Sequence, residues 1–285
     1  MLIRLILFAA LAFPVGQAEP GEPDVQKSLA EHRLAFARQA AALYRFRIPR
    51  REKVEVKLHP EPLLRWNNQV VREDDGMLFL WTERAKGRPL ATAQFFLVEN
   101  AWHHEFQSLC LSGFDARMEG TAGDGWSWQP NRPGLEFVPA ENADPPAGAA
   151  GLRVRQMKSI AERFTAAVDR RGKFECPDEL RLLTTPVYRY SATDQGVVDG
   201  AMFAFVQGTN PEVLVLVEAV ETGPGTKVWR YGFARMSSFY LRVRRGDQVV
   251  WEQSAEPVPT RDRAGPYFFR FGAQTDRSHE IELAP

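Results

Sequence analysis

The sequence predicts an α+β protein built from two tandem repeats, each consisting of one helix followed by an antiparallel β-meander. Three observations carry this prediction: one segment recurs, a helical apolar pattern precedes each copy, and short strand-like runs joined by turns follow each copy. Strands joined by short loops cannot be parallel neighbours, because a parallel pair needs a long crossover. One helix covering one antiparallel sheet in each copy defines the class.

The recurring segment reads PLLRWNNQVVREDDGMLF from Pro62 and PVYRYSATDQGVVDGAMF from Pro186, so the copies begin 124 positions apart. At this spacing Arg65 aligns with Arg189, and each copy has Asp-Gly followed by a phenylalanine. Two copies with different neighbours keep the same residue most simply where the fold requires it. The recurrence therefore indicates an internal duplication.

The N-terminal residues MLIRLILFAALAFPVGQA have the plan of a secretory signal peptide, residues 1–18. One arginine precedes an apolar run from Leu5 to Val15 that is too short for a permanent membrane helix, and small residues follow it. No later segment is long and apolar enough to span a bilayer. We therefore expect a protein that is cleaved near Ala18, exported to the periplasm or secreted, and without an integral membrane span.

The remaining chain divides into repeat unit 1 over residues 19–137, a linker over 138–151, repeat unit 2 over 152–254 and a tail over 255–285. The linker contains PAENADPPAGAAG, and a segment rich in proline, alanine and glycine is typical of domain boundaries. The tail contains YFFRFGA, which is suited to an added edge strand.

Each copy begins with apolar residues at helical spacing. The first stripe predicts a helix over residues 24–47, which Pro49 ends. The first stripe comprises Leu29, Phe36 and Leu43, and the second comprises Met157, Ile160, Phe164 and Val168.

Strand patterns follow each helix. MLFLW, AMFAFV and VLVLVEAV are short apolar runs, and SFYLRVRR alternates between apolar and polar residues. Gly246-Asp247 suits a two-residue hairpin turn between SFYLRVRR and QVVWE. These runs predict antiparallel strands in both copies.

The segment DGAMFAFVQGTNPEVLVLVEA, with ELRLLTTPVYRY ahead of it and WRYGFARMSS behind it, resembles a family of uncharacterised exported bacterial proteins. The resemblance covers most of the chain after the signal peptide. It implies export. Since that family has no assigned activity, it implies no catalytic or binding residue.

The repeated arginines, Arg65 and Arg189, alternate with apolar and aromatic neighbours, so arginine and aromatic side chains point to opposite faces. One interpretation pairs each arginine with a nearby carboxylate at the sheet margin. The other makes them two equivalent ligand-binding arginines, one in each copy.

The motif WHHEF at residues 102–106 replaces WRYGF of the second copy. In a strand His103 and Glu105 share one face and His104 lies on the other. These three residues are the catalytic candidates for a hydrolase-type enzyme, and the alternative is an ordinary set of strand side chains. No second ligand cluster and no nucleotide-binding, serine-hydrolase or zinc-protease motif is present, so we expect neither a metal nor a cofactor.

Two further groups are candidates for ligand or partner binding. Trp126 and Trp128, in the loop GTAGDGWSWQPNRPG, form either an exposed stacking platform or part of the core. The arginines near the end of the second copy form either a surface for an acidic partner or a solvated sheet face. The named members are Arg230, Arg242 and Arg244.

Cys110 and Cys176 are the only cysteines. In an oxidising compartment they would form a disulfide if the fold brought them together, and otherwise they are two separate thiols.

The formal net charge is zero, which gives no electrostatic footprint for nucleic acid. We therefore expect a non-catalytic binding or scaffolding module whose partner is an unknown protein or small-molecule ligand. The alternatives are a hydrolase around His103, His104 and Glu105, or a carrier of small apolar ligands. A carrier requires an apolar cavity, an enzyme requires convergent polar groups with shifted pKa values, and a scaffold requires an exposed apolar patch.

Overall fold

The computed structural model describes residues 22–51, 53–68, 73–120, 125–172, 174 and 176–281. The predicted signal peptide, residues 1–18, lies outside these ranges. Nowhere in the described part is a helix both long enough and apolar enough to cross a bilayer.

The chain forms two α-helices, α1 (Glu22–Ala42) and α2 (Ala150–Ala161), within the described ranges. The strands are β1 (Tyr44–Arg47), β2 (Val56–Leu58), β3 (Leu64–Asn68), β4 (Glu73–Glu83), β5 (Pro89–Val98), β6 (Ala101–Ser108), β7 (Asp115–Met118), β8 (Ser127–Trp128), β9 (Val138–Pro139), β10 (Thr165–Asp169), β11 (Asp178–Leu182), β12 (Tyr188–Ala192), β13 (Val197–Gln207), β14 (Asn210–Gly223), β15 (Thr226–Arg235), β16 (Tyr240–Arg245), β17 (Gln248–Gln253) and β18 (Tyr267–Thr275).

The strands form three antiparallel sheets. The first sheet has the order β18-β6-β5-β4-β2, with β3 also paired to β4. The second sheet has the order β17-β16-β10-β11-β13-β14-β15-β9, with β12 also paired to β13. A small sheet consists of β1, β7 and β8.

The first and second sheets pack face to face around a shared central core. Alternate residues of β4, Leu78 and Leu80, lie in this core together with Leu214 and Leu216 of β14. Because side chains alternate along a strand, the intervening residues of both sheets face outward into two further cores. The result is a β-sandwich-like architecture with a helix on each outer side.

The outer cores contain the helices. Ala37 and Ala41 of α1 pack, together with the small sheet, against the outer face of the first sheet. Met157 and Ile160 of α2 pack into the core on the outer face of the second sheet. The helices thus shield sheet faces that would otherwise expose continuous apolar surface.

The predicted α+β class is wrong, because strands occupy 49% of the chain and helix only 15%. The helical stripes overestimate helix length. Tyr44 and Phe46 are buried while Arg45 and Arg47 are exposed, a period of two that belongs to a strand. The second stripe likewise continues past the end of α2, and Val168 lies in β10.

The architecture is also not a row of two helix-plus-meander repeats. The linker contributes β9, which pairs with β15 of the second sheet. The tail contributes β18, at the segment expected to form an edge strand, and it pairs with β6 of the first sheet. Together with the shared central core, these long-range contacts make one interlocked structure.

Two glycines lie directly beneath aromatic rings near the central core. A Cβ atom on Gly76 would lie 2.3 Å from the Trp66 ring, and one on Gly200 would lie 2.5 Å from the Tyr190 ring. Both contacts are far shorter than real Cβ contacts allow. Glycine is therefore required at these two positions by close packing.

We expect Gly76→Ala and Gly200→Ala each to lower the free energy of unfolding by about 1–3 kcal/mol, because the added methyl group overpacks the site. Gly151→Ala in α2 is the control, since nothing lies within 4 Å of a Cβ atom there. Urea denaturation followed by circular dichroism measures the difference. Equal stability of all three variants and the wild type would contradict the packing argument.

Candidate functional site

A cavity of about 380 Å³ lies between the first and second sheets, where β5, β6 and β18 face β14 and the loop after β15. Its lining combines acidic and aromatic side chains. The glutamates and phenylalanines of the lining are Glu73, Glu105, Glu212, Phe96, Phe239, Phe269 and Phe271.

Strand register places these groups together. Glu105 of β6 lies opposite Gln94 of β5 and opposite Phe269 of β18, so the three form one row across the sheet. The Gln94 side-chain amide donates hydrogen bonds to the backbone carbonyls of Met236, at 2.7 Å, and of Pro211. This amide therefore joins the two sheets beside the cavity.

Glu105 is a buried acid with one direct partner. The Tyr267 hydroxyl donates a hydrogen bond to Oε1, while no described residue donates to Oε2. Burial raises the pKa of Glu105 to about 8, and the charges of Glu212 and Glu73 act in the same direction. The side chain therefore carries a proton through most of the neutral range.

Glu212 faces the same cavity from β14. Burial raises its pKa to about 7, against the lowering effects of a hydrogen bond from Ser237 and the charge of Arg170. The Arg170 guanidinium lies 3.5 Å from Oε1 of Glu212. At neutral pH this carboxyl exists in both protonation states.

The third acid, Glu73, accepts hydrogen bonds from Trp66 Nε1 at 3.0 Å and from Asn210 Nδ2 at 3.4 Å. Burial raises its pKa as well. Asn210 lines the cavity and is only 8% exposed, yet its Oδ1 has no hydrogen-bond partner in the described part of the chain. An acceptor is thus left without a donor beside three acids.

Aromatic rings form the apolar part of the cavity. The Arg170 guanidinium lies over the Phe239 ring, 4.7 Å from its centroid. Phe271 is 66% exposed, which places an apolar ring at the boundary with solvent. His103 stacks on Phe96, with ring centroids 5.4 Å apart, and contacts Phe271 edge-on at 4.4 Å.

The three hydrolase candidates do not form one constellation. The predicted alternation is confirmed, since Glu105 faces the cavity whereas His104 lies on the opposite face, in a core hydrogen bond of 2.7 Å with Tyr44. Burial lowers the pKa of His103 and lowers that of His104 far more strongly. Of the three, only Glu105 lines the cavity.

The repeated arginines have structural partners. Arg65 forms a two-pronged ion pair with Asp75 and donates to the backbone oxygen of Ala30 in α1. Arg189 pairs with Asp199 and donates to the backbone oxygen of Ala150 in α2. Each arginine therefore ties a helix to a sheet, which favours the carboxylate-pairing interpretation over ligand binding.

The two tryptophans belong to the core rather than to an exposed platform. Trp126 is 5% exposed and Trp128 is fully buried. Trp128 Nε1 donates to the backbone oxygen of Gly265 at 2.8 Å. Residues 121–124 of the same loop lie outside the described ranges.

The arginines of the second copy have partners within the chain. Arg230 pairs with buried Glu218 and lies over the Phe137 ring, 4.4 Å from its centroid. Arg242 pairs with Glu252, and Arg244 donates to the backbone oxygen of Asp247. These contacts use the guanidinium groups within the fold.

The cysteines remain two separate thiols. Cys110 is buried, with Sγ 3.5 Å from the backbone oxygen of Ser112, and Cys176 is exposed. The alternative of a disulfide is therefore wrong for this structure.

Among the charged groups of the cavity, only Glu105 is a candidate from sequence alone. Glu212 had a usable signal, since an acid directly before the apolar run VLVLV starts a buried strand. Glu73 begins β4 and Arg170 directly follows β10, and neither has a local sequence signal. Tyr267 reaches Glu105 from a distant part of the chain, which no local pattern reveals.

A larger depression of about 700 Å³ lies beside Phe114 and Pro130. Its charged groups already have partners: Asp115 pairs with Arg47 at 3.1 Å, and Arg263 donates to Ser127 Oγ at 3.0 Å. It lacks the unpaired buried groups of the smaller cavity and is the weaker candidate.

No cluster of three or more His, Cys, Asp or Glu side chains in the described ranges is arranged to hold a metal ion. Comparisons with protein-family models, with curated proteins and with solved structures found no match to this chain. The resemblance to an exported family therefore stays a prediction, and function has to be argued from the cavity.

The buried acids predict how stability depends on pH. The pKa of folded Glu105, about 8, lies above its ordinary value of 4.5, so the folded state holds more protons between these values. Its contribution to stability is complete below the ordinary pKa and is lost as pH rises through the folded pKa. Glu212 acts in the same direction. The lowered pKa values of His103 and His104 contribute little above about pH 7, because both side chains are then mostly neutral in the folded and unfolded states. We expect the free energy of unfolding to fall by about 2 kcal/mol from about pH 7 to about pH 9.

Glu105→Gln replaces the protonated acid with a neutral group of the same shape, so the decline with pH should become shallower. Glu221→Gln, at the exposed far end of β14, is the control and should keep the wild-type slope. Chemical denaturation at several pH values measures each slope. A Glu105→Gln slope identical to that of the wild type would show that this carboxyl is not buried as described.

Proposed function

We propose that this protein is a non-catalytic small-molecule-binding protein whose ligand occupies the cavity between the two sheets. The observation that carries the proposal is the combination of four phenylalanines with buried acids and an unpaired buried acceptor around one cavity. Ligand cavities are mainly apolar and contain a few polar groups that orient the ligand. The volume suits a small organic molecule.

Two features of the cavity lining favour ligand binding over a purely structural role: an unpaired polar atom and an exposed aromatic ring. An unpaired buried acceptor costs free energy unless a bound group supplies a donor. Asn210, a residue of the cavity lining, has such an acceptor in Oδ1, which finds no partner among the described residues. The phenylalanine at the boundary with solvent, Phe271, offers an apolar contact for the same ligand.

A second candidate is an acid–base enzyme in the same cavity. The specific observation is that Glu105 and Glu212 have raised pKa values, about 8 and about 7, so that one serves as acid while the other is partly ionised. Recovery of the bound ligand after long incubation separates the candidates. An unchanged ligand supports binding alone, whereas conversion that Glu105→Gln abolishes supports the enzyme.

Ligand-observed NMR with a mixture of neutral, cationic and anionic small aromatic compounds tests the binding proposal. We expect at least one compound to bind, and Phe271→Ala to weaken that compound roughly fivefold by removing part of the apolar wall. Leu111→Ala is the matched control, since this exposed apolar residue lies at the larger depression. Absence of any binder, or equal binding to both variants, would contradict the proposal.

A further inference from the structure

We infer that the ligand of this cavity is a small organic cation, a protonated amine attached to an apolar or aromatic body. This inference rests on the proposed function and specifies its ligand class. The chain itself offers a comparison. Another buried glutamate, Glu218, faces the same sheet interface, but it is paired with arginines.

The reference is Glu218, six residues along β14 from Glu212 and on the same face of the strand. Glu218 is fully buried and receives hydrogen bonds from Arg88 Nε, Arg230 Nε and the Tyr190 hydroxyl. Two arginines thus accompany a single carboxylate. This is the arrangement expected where a buried charge has only a structural role.

The cavity departs from that arrangement. Three glutamates face one lining arginine, Arg170, whose guanidinium already contacts Gln207, Glu212 and the Phe239 ring. Arg235 lies nearby, but it donates to the backbone oxygens of Ser237, Phe239 and Ser254. The carboxyl groups of the cavity therefore outnumber the arginines that line it.

The unpaired acceptor points to the same class of ligand. The amide nitrogen of Asn210 is used by Glu73, so only Oδ1 is available, and Oδ1 accepts hydrogen bonds but cannot donate them. An ammonium group supplies up to three donors and a positive charge at one atom. A carboxylate ligand supplies neither a donor nor a positive charge.

The aromatic walls suit the same ligand. The negative faces of phenylalanine rings attract cations, and the chain itself uses this contact where Arg170 lies over Phe239. The other three phenylalanines of the cavity offer rings for the body of an amine or for its charged end. Acidic and aromatic groups together are typical of sites that bind organic ammonium ions.

Binding of a cation favours the ionised forms of neighbouring acids. Since burial raises the pKa of Glu105 to about 8 and that of Glu212 to about 7, Glu105 is largely protonated and Glu212 partly protonated at neutral pH. An ammonium ligand should therefore expel protons when it binds, whereas a neutral ligand of the same shape should not. Proton release distinguishes charge recognition from apolar binding alone.

The test is isothermal titration calorimetry of the full protein with phenethylammonium chloride, phenethyl alcohol and hydrocinnamate at neutral pH. These probes share an aromatic body and differ in charge. We expect phenethylammonium to bind roughly tenfold or more tightly than the alcohol and hydrocinnamate to bind most weakly, because charged hydrogen bonds are stronger than neutral ones. Titrations in two buffers of different ionisation enthalpy should show proton release only with the amine.

The variants separate charge from shape. Glu212→Gln and Glu105→Gln should each reduce the preference for the amine over the alcohol, while Phe271→Ala should weaken both probes by the same factor. The control Glu221→Gln should match the wild type. Since each of these variants can be checked by its unfolding curve, a loss of binding through misfolding is detected separately.

Three results would overturn the inference. Equal or tighter binding of the alcohol or of hydrocinnamate would show that the cavity binds a small molecule of another class, which leaves the proposed function in place. An amine preference that survives in both glutamine variants would show that the glutamates do not recognise the charge. Failure of all three probes and of the mixed NMR panel would overturn the proposed function as well.

Discussion

The packing of the first sheet on the second is the constraint on which the rest of the structure depends, because it removes both inner sheet faces from water. In the middle of the interface the leucines of β4 and β14 satisfy this constraint with apolar contacts. Towards its ends the same faces carry acids, and a carboxylate in such a place needs donors or has to hold a proton. Glu218 and Glu212 lie on either side of Leu214 and Leu216, roughly 20 Å apart at strand spacing.

Local sequence patterns determine the strands but not which strands meet. VLVLVEAV lies in β14, and Gly246-Asp247 forms the turn between β16 and β17, with Gly246 at a φ of +57°. The strand follows from its run of β-branched and apolar residues, and the turn follows from its Gly-Asp pair. The pairing of β18 with β6 and the face-to-face contact of the sheets join distant segments. Such contacts are selected by the whole core rather than by a window of residues, which is why the sandwich was not predicted.

The same distinction applies to the candidate site. Alternation within WHHEF assigns Glu105 and His104 to opposite faces, and the structure agrees. Alternation does not predict which residues of other strands each face contacts. One face meets a tyrosine and a tryptophan core, and the other meets two more glutamates from β4 and β14. Trp126 and Trp128 show the same limit of local patterns. Their sequence suits an exposed platform, but in the fold both belong to the core on the outer face of the first sheet.

The contrast between the two acidic ends of β14 is an argument about function as well as stability. Burying the three cavity glutamates costs free energy. If they served only the fold, an apolar residue in place of one of them, or a second arginine beside them, would remove part of that cost. Glu218 shows the second solution, because two arginines pair with it. The chain instead keeps protonated acids, a single engaged arginine and an acceptor without a donor in one aromatic-walled space. We interpret the surplus of carboxyl groups over arginines, beside an unpaired acceptor, as a ligand site, and acids that can ionise on binding favour a cation as that ligand.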